Sequence, residues 1–186
     1  MSSSHRQRLH GKTAVVTGAS RGAGRGIALA LGEAGATVYV TGRSTRGAAT
    51  TENLPGTVEQ TAEEVTARGG TGIAVRCDHT VDSEVEELFA RVQREQGRID
   101  LLVNNAWGGY EQHDYRRFAD PFQEQPVRHW DGMFTAGVRA ALVSSRFAAS
   151  LMLAQKYGLI MSIRSGITTS ISAICFMTSP RMRSIE

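Results

Sequence analysis

A glycine-rich turn, Thr17–Gly24 (TGASRGAG), carries the strongest chemical signal in the sequence. It lies between a β-branched run, TAVVT at 13–17, and a segment with a helical pattern. Glycine permits a tight turn and lets a phosphate approach the main chain, and the following helix N-terminus supplies unpaired N–H groups and partial positive charge. The pattern therefore predicts a phosphate-binding turn, with a plain structural turn as the alternative.

Polar residues also follow the later strands of the same pattern. Asp78 comes after GIAVRC at 72–77, and Asn104 ends IDLLVN at 99–104. The carboxyl ends of parallel strands meet at one sheet edge, where open α/β sheets bind their ligands, so we expect both residues beside the glycine turn. Taken singly, either could instead be a helix cap or a structural hydrogen-bonding residue.

The end of the second predicted strand, TVYVT at 37–41, bears on the choice of dinucleotide. An acidic residue there would bind the ribose 2′-hydroxyl of NAD, whereas a cation would accept the 2′-phosphate of NADP. This chain has Thr41, Gly42 and Arg43 and no acid. The pattern favours NADP(H) over NAD(H), although an exposed arginine is also common as plain surface charge.

The elements that must position these residues follow a regular order. From Thr13 to Ile163, short β-branched runs alternate with longer helical patterns, which predicts an α/β fold: a Rossmann-type doubly wound parallel sheet with helices on both faces. We expect residues 1–12 to form an N-terminal arm, 13–163 the dinucleotide-binding domain and 164–186 an atypical tail. The tail has no clear hydrophobic period and no helix-cap signal, so we expect the fold to end there without another βα unit.

Two helices carry recognisable boundary signals. Thr57 and Gln60 have capping-box spacing, and so do Ser83 and Glu86 at the next helix. That second helix is expected to end at Gly97. Its predicted buried face is formed by Val85, Leu88, Phe89 and Val92.

Taken together, these motifs resemble the short-chain dehydrogenase/reductase family. Its TGxxxGxG pattern is matched by the glycine turn, and its NNAG motif by Asn104-Asn105-Ala106. The resemblance implies that Asp78 contacts adenine and that Arg21 supplies the second basic position of NADP-preferring members. The residues it implies for cofactor binding are Thr17, Gly18, Ser20, Arg21, Gly22, Gly24, Arg43, Asp78, Asn104 and Ala106.

The family's catalytic residues are matched only in part. GLIMSIRS at 158–165 is similar to the family's GxIVNISS, so Ser165 matches the catalytic serine. The family's Tyr-x-x-x-Lys pair is missing, because no tyrosine follows Tyr157 and no lysine follows Lys156; Thr178 and Met182 fall near those positions. Hydride transfer to a carbonyl would then lack its proton donor.

Two further positions depart from the family pattern. Trp107 stands where the family usually has the glycine of NNAG, and Gly137 where it usually has an active-site asparagine. The form NNAW and the stretch GIAVRCDHT at 72–80 resemble one subgroup of the family.

Three functional interpretations follow. The resemblance implies an NADP(H)-dependent oxidoreductase acting on a small-molecule carbonyl or alcohol. The missing pair favours two alternatives: a cofactor-binding module without turnover, or a truncated or frame-shifted fragment that lacks the family's last strands. Homo-oligomers are implied by the resemblance only.

Composition argues against several other classes of protein. The 186 residues are 41% hydrophobic and 21% charged with net charge +3, and the basic residues are scattered, which argues against nucleic-acid binding. Cys77 and Cys175 lie far apart and the five histidines lack ligand spacing, so neither a disulfide nor a metal site is expected. We find no signal-peptide pattern and no apolar run of about 18 residues. The sequence predicts a cytoplasmic protein without a membrane segment.

Overall fold

The computed structural model describes residues 8–110, 120–165 and 171–178. Its strands are β1 (Thr13–Val16), β2 (Thr37–Gly42), β3 (Thr71–Arg76), β4 (Leu101–Asn104), β5 (Gly158–Ser165) and β6 (Ile171–Thr178). Its helices are α1 (Gly22–Glu33), α2 (Val58–Ala67), α3 (Asp82–Gln96), α4 (Arg128–Gly132) and α5 (Ala140–Ala154), with a π-helical turn (Met133–Arg139) joining the last two.

The six strands form one sheet in the order β3-β2-β1-β4-β5-β6. Strands β1 to β5 run parallel to one another. The chain moves outward from β1 on one side to β3 and then returns to β4 on its other side, so the strand order reverses at β1. The predicted Rossmann-type sheet is confirmed, and the reversal opens a crevice above the carboxyl end of β1.

Helices cover both faces because neighbouring strand residues point in opposite directions. Val15 and Leu102 join a core that α3 and α5 cover, whereas Val16 and Val103 join a core that α1 and α2 cover. The predicted apolar face of α3 is confirmed, since all four of its residues are buried. Helices therefore pack on both faces of the sheet and hold the strands that lead into the glycine turn.

Helix boundaries follow local chemistry, with one correction. The Thr57 side chain accepts a hydrogen bond from Gln60 N at 3.2 Å, as its cap spacing predicted, and Gly97 ends α3 with φ +66°. The prediction of Ser83 as a cap is wrong, because α3 begins at Asp82, with Val81 before it and no side-chain cap. Glu84 fixes this end by accepting a 2.7 Å hydrogen bond from Asp78 N.

The helical stretch Arg128–Ala154 is long and apolar enough to cross a membrane by length and composition. Within this fold, however, α5 packs against α3, β4 and β5. One face of it is buried at Ala140, Ser144, Ala148 and Met152. Burial along one side is the pattern of a helix that covers a sheet.

β6 is a strand that the sequence did not predict. It runs antiparallel to β5, pairing Ser165 with Ile171 and Gly158 with Thr178. The tail thus contributes a strand to the edge of the sheet.

Candidate cofactor site

A cleft of about 220 Å³ lies over the carboxyl ends of β1 to β4. Seven of the predicted cofactor residues line it: Gly18, Ser20, Arg21, Gly22, Arg43, Asp78 and Ala106. Ser44, Thr51, His79, Thr80, Asn105 and Trp107 also line it, and the sequence analysis did not select them as cofactor-binding residues. The cleft therefore unites the glycine turn with the ends of the neighbouring strands.

The glycine turn leaves the N-terminus of α1 open toward this cleft. Gly18 and Gly22 have φ values of +64° and +57°, in the left-handed region that glycine adopts without strain. Helix α1 begins at Gly22 with no side-chain cap at Arg21 and no acidic residue in its first turn. Its first N–H groups and the positive end of its dipole are thus available to an anion, which fits a pyrophosphate group.

Asn105 and Thr17 fasten this turn to the end of β4. The Asn105 side-chain amide donates to Thr17 O and Gly18 O, each at 3.0 Å. In return, Thr17 Oγ1 accepts hydrogen bonds from Asn105 N and Ala106 N, each at 2.9 Å. Thr17 therefore supports the cleft from below and does not line it.

Gly24 has a packing role in the same unit. A Cβ atom there would overlap the Asn105 amide and would come within 2.5 Å of Gly18 O. Like Thr17, Gly24 does not line the cleft. The helix can approach the turn this closely only because residue 24 has no side chain.

Arg21 spans the cleft wall formed by the loop after β2. Its guanidinium donates to Ser44 Oγ at 2.7 Å, Thr51 O at 3.0 Å and Gly56 O at 3.2 Å. Ser44 is nearly fully buried. The signal that could have identified it is its position directly after Arg43.

Arg43 and Asp78 face each other at one end of the cleft, with 3.8 Å between Nη1 and Oδ2. Asp78 Oδ1 also accepts hydrogen bonds from Thr80 N at 2.9 Å and Thr80 Oγ1 at 2.7 Å. Burial alone would raise the pKa of Asp78, but these hydrogen bonds and the charges of Arg43 and Arg76 outweigh it and lower the pKa. Asp78 is therefore a carboxylate at neutral pH and attracts the guanidinium group of Arg43.

The sequence profile of short chain dehydrogenases matches residues 12–177. This chain belongs to the short-chain dehydrogenase family. It is 43% identical over 158 residues to dehydrogenase/reductase SDR family member 1 of Mus musculus, a match that covers 84% of this chain and 47% of that protein. The human protein of the same name gives the same identity and coverage. The chain spans about half the length of these relatives.

Solved structures show the same fold. A metagenomic short-chain oxidoreductase in complex with NADP is 31% identical with a TM-score of 0.67, covering 86% of this chain and 65% of that one. A 7α-hydroxysteroid dehydrogenase complexed with NADH and 7-oxo glycochenodeoxycholic acid is 30% identical with a TM-score of 0.67, covering 89% of this chain and 57% of that one. The fold and the family are thereby established independently of the cleft.

His79 is a buried residue that the sequence analysis did not single out. Its Nε2 lies 2.8 Å from Thr41 Oγ1, whose own proton is donated to Val16 O at 3.1 Å, so Nε2 carries the hydrogen. Its Nδ1 faces Ser144 Oγ at 3.4 Å. Burial lowers the pKa of His79 to about 4, which keeps the ring neutral at pH 7.

Asn104 faces away from the cofactor cleft. It lines a neighbouring cavity of about 230 Å³ with Thr17, Gly137 and Ser162, and its amide nitrogen donates to Ser145 Oγ at 2.9 Å. Asn104 Oδ1 is buried with no hydrogen-bond partner among the described residues. The structural alternative that the sequence left open for Asn104 thus has a specific partner on α5.

The two described residues that the resemblance assigns to the family's catalytic positions lie at opposite ends of β5. Ser165 ends β5 at the carboxyl edge of the sheet. Thr178 pairs with Gly158 at the opposite end of that strand, roughly 23 Å away along eight residues. Met182 lies outside the described residues. No cluster of metal-ligating side chains occurs in the described part of the chain.

Proposed function

We propose that this chain binds NADP(H) in the cleft, as the cofactor-binding part of an oxidoreductase that interconverts small-molecule carbonyls and alcohols. The observation that carries the proposal is the end of β2, where Arg43 and Ser44 replace the acid that would select NAD. Arg21 donates to that same Ser44. Two guanidinium groups therefore flank one wall of the cleft, where a 2′-phosphate would find charge-assisted donors.

The remaining contacts follow from helix α1, whose N-terminus has no side-chain cap. The pyrophosphate would be held by N–H groups at Gly22 and the α1 N-terminus, and the adenine half by the Asp78 side of the cleft. A bound NADP(H) would supply or accept the hydride. Relatives solved with NADP and with NADH support a nicotinamide dinucleotide as the ligand class, while Arg43 supports the phosphorylated form.

A second candidate, binding without turnover, is favoured by the register of β6. Reduction of a carbonyl needs a proton donor beside the hydride acceptor. Ser165 matches the family's catalytic serine by resemblance, but Thr178, near the tyrosine position, pairs at the far end of β5 and no tyrosine follows Tyr157. We therefore propose that these 186 residues bind NADP(H) without reducing a carbonyl.

The exposed side of the helix Arg128–Ala154 supports self-association. Trp130, Phe134, Val138 and Leu142 are exposed at intervals of four residues, and the first two rings stack at 4.1 Å. An apolar stripe of this kind is the usual mark of a protein interface. We propose that a second copy of the chain covers it, and that the protein acts in the cytoplasm, where Cys77 remains a free thiol.

Titration of the purified chain with NADPH and NADH by calorimetry tests the cofactor proposal. Arg43→Ala should weaken NADPH binding roughly 10- to 100-fold, since a charged hydrogen-bonding group is lost, and leave NADH binding nearly unchanged. Arg43→Asp should reverse the preference toward NADH. Arg46→Ala is the matched control, because Arg46 pairs with Glu63 on the surface and does not line the cleft.

Equal affinity for both dinucleotides, unaffected by Arg43, would contradict NADP(H) selectivity. Turnover is tested separately by following the absorbance of NADPH with a panel of ketones and aldehydes. Oxidation that depends on both enzyme and carbonyl would contradict the proposal of binding without turnover.

A further inference from the structure

Trp107 lies on the opposite side of the glycine turn from Arg43. It follows β4 directly after Ala106 and lines the same cleft. The sheet order places β4 on one side of β1, and β2 with β3 on the other. A dinucleotide whose adenosine half lies beside Arg43 and Asp78, with its pyrophosphate at α1, would extend its other half toward Trp107.

Two glycines fix the segment that carries this indole. A Cβ on Gly109 would overlap three atoms of the Trp107 ring, so the ring is seated directly against the main chain. A Cβ on Gly108 would come within 2.6 Å of Met133 Cα, so the same turn is also packed against the helix. The indole is thus held in place in a residue that lines the cleft and is 44% exposed.

We propose that Trp107 is a stacking surface for the nicotinamide ring, a role that rests on the proposed NADP(H) function. The indole face is electron-rich, and the oxidised nicotinamide is a cationic pyridinium, so their contact combines stacking with a cation–π attraction. A ring that is already fixed loses little side-chain freedom on binding. Trp107 therefore favours the oxidised cofactor over the neutral, reduced one.

Calorimetry with two ligands isolates this contact: NADP⁺, and 2′-phosphoadenosine 5′-diphosphoribose, which has no nicotinamide. Trp107→Ala should weaken NADP⁺ binding roughly 3- to 30-fold and NADPH binding less, while the ligand without nicotinamide binds as before. Trp107→Phe keeps an aromatic face and should recover most of the NADP⁺ affinity. Gly109→Ala, which displaces the indole, should resemble Trp107→Ala.

Trp130→Phe is the matched control, since Trp130 does not line the cleft and phenylalanine keeps an aromatic ring against Phe134 in the proposed dimer interface. It also leaves Trp107 as the sole tryptophan, whose emission NADPH should quench. In the Trp107→Phe protein, where Trp130 remains, quenching should be much weaker.

Three outcomes decide the proposal. Selective loss of NADP⁺ affinity in Trp107→Ala supports it. Equal losses of affinity for NADP⁺ and for 2′-phosphoadenosine 5′-diphosphoribose, or no loss for either, overturn the stacking role while leaving NADP(H) binding intact. A wild-type chain that binds neither ligand overturns the proposed function itself, and the role of Trp107 with it.

Discussion

The Asn105 side-chain amide lies 3.0 Å from Gly18 O and ties the first strand-to-helix turn to the end of β4. A second bond from the same nitrogen reaches Thr17 O. The conformation of the glycine turn is therefore not set by its own sequence, TGASRGAG, alone. Its shape depends on a residue 87 positions later in the chain.

Asn105→Asp should destabilise the protein and weaken dinucleotide binding. A carboxylate cannot donate to the two carbonyl oxygens and would repel them, so we expect a loss of about 1–3 kcal/mol in the free energy of unfolding. Urea denaturation at pH 7 measures it. Asn53→Asp adds the same charge in the exposed 3₁₀ turn Thr51–Asn53, at a left-handed φ of +53° that aspartate also adopts, and should change little; equal effects in both variants would contradict the role of Asn105.

Gly24→Ala and Gly26→Ala form a matched pair on α1. A Cβ at Gly24 would overlap the Asn105 amide, whereas a Cβ at Gly26 meets nothing within 4 Å. We expect Gly24→Ala to lower the melting temperature and abolish NADPH binding. Gly26→Ala should stabilise the helix by up to about 1 kcal/mol and leave binding unchanged. Tolerance of both substitutions would show that the turn does not need this close approach.

His79 makes stability depend on pH below neutrality. The pKa of His79 is about 4 in the folded chain and about 6.5 when unfolded, so the unfolded chain takes up the proton first as the pH falls. The contribution of neutral His79 to folding stability is complete above about pH 6.5 and is lost progressively toward pH 4. The free energy of unfolding should fall by about 2 kcal/mol from pH 7 to pH 5 on this account.

The variant His79→Gln can still bond to Thr41 but does not titrate. Its urea-unfolding free energy should change distinctly less between pH 7 and pH 5 than that of the wild type. Asp78 and Glu84 have lowered pKa values, so their contribution is lost only at lower pH. An equally steep pH dependence in His79→Gln would rule out His79 as the cause.

The apolar stripe on the helix should control self-association. Leu142→Glu places a charge in its middle and should convert a dimer to monomers, because burying an unpaired carboxylate is costly. Sedimentation velocity measures the change. Val81→Glu, an exposed apolar residue before α3, is the control. A wild type that sediments as a monomer at all concentrations would contradict the interface.

Local patterns predicted the elements well where the signal is short-range. The apolar spacing of α3 and the cap at Thr57 are both present, because each depends on residues within one or two helical turns. Ser83 was misassigned because a contact with another element holds this end of the helix. Glu84, in the first turn of α3, pairs with Arg76 at the end of the preceding strand β3. β6 was missed because an antiparallel strand on a sheet edge depends on β5, not on its own period.

The sequence by itself determined the family, the doubly wound sheet and the position of the glycine turn, because glycine spacing and the alternation of strands and helices are set by neighbouring residues. Only the tertiary structure decided which strand-end residues meet the cleft. Side chains alternate at a strand end, so Asn104 turns to Ser145 on α5 while Asn105 turns to Gly18. The Arg21–Ser44 contact and the burial of His79 likewise depend on segments that are distant along the chain.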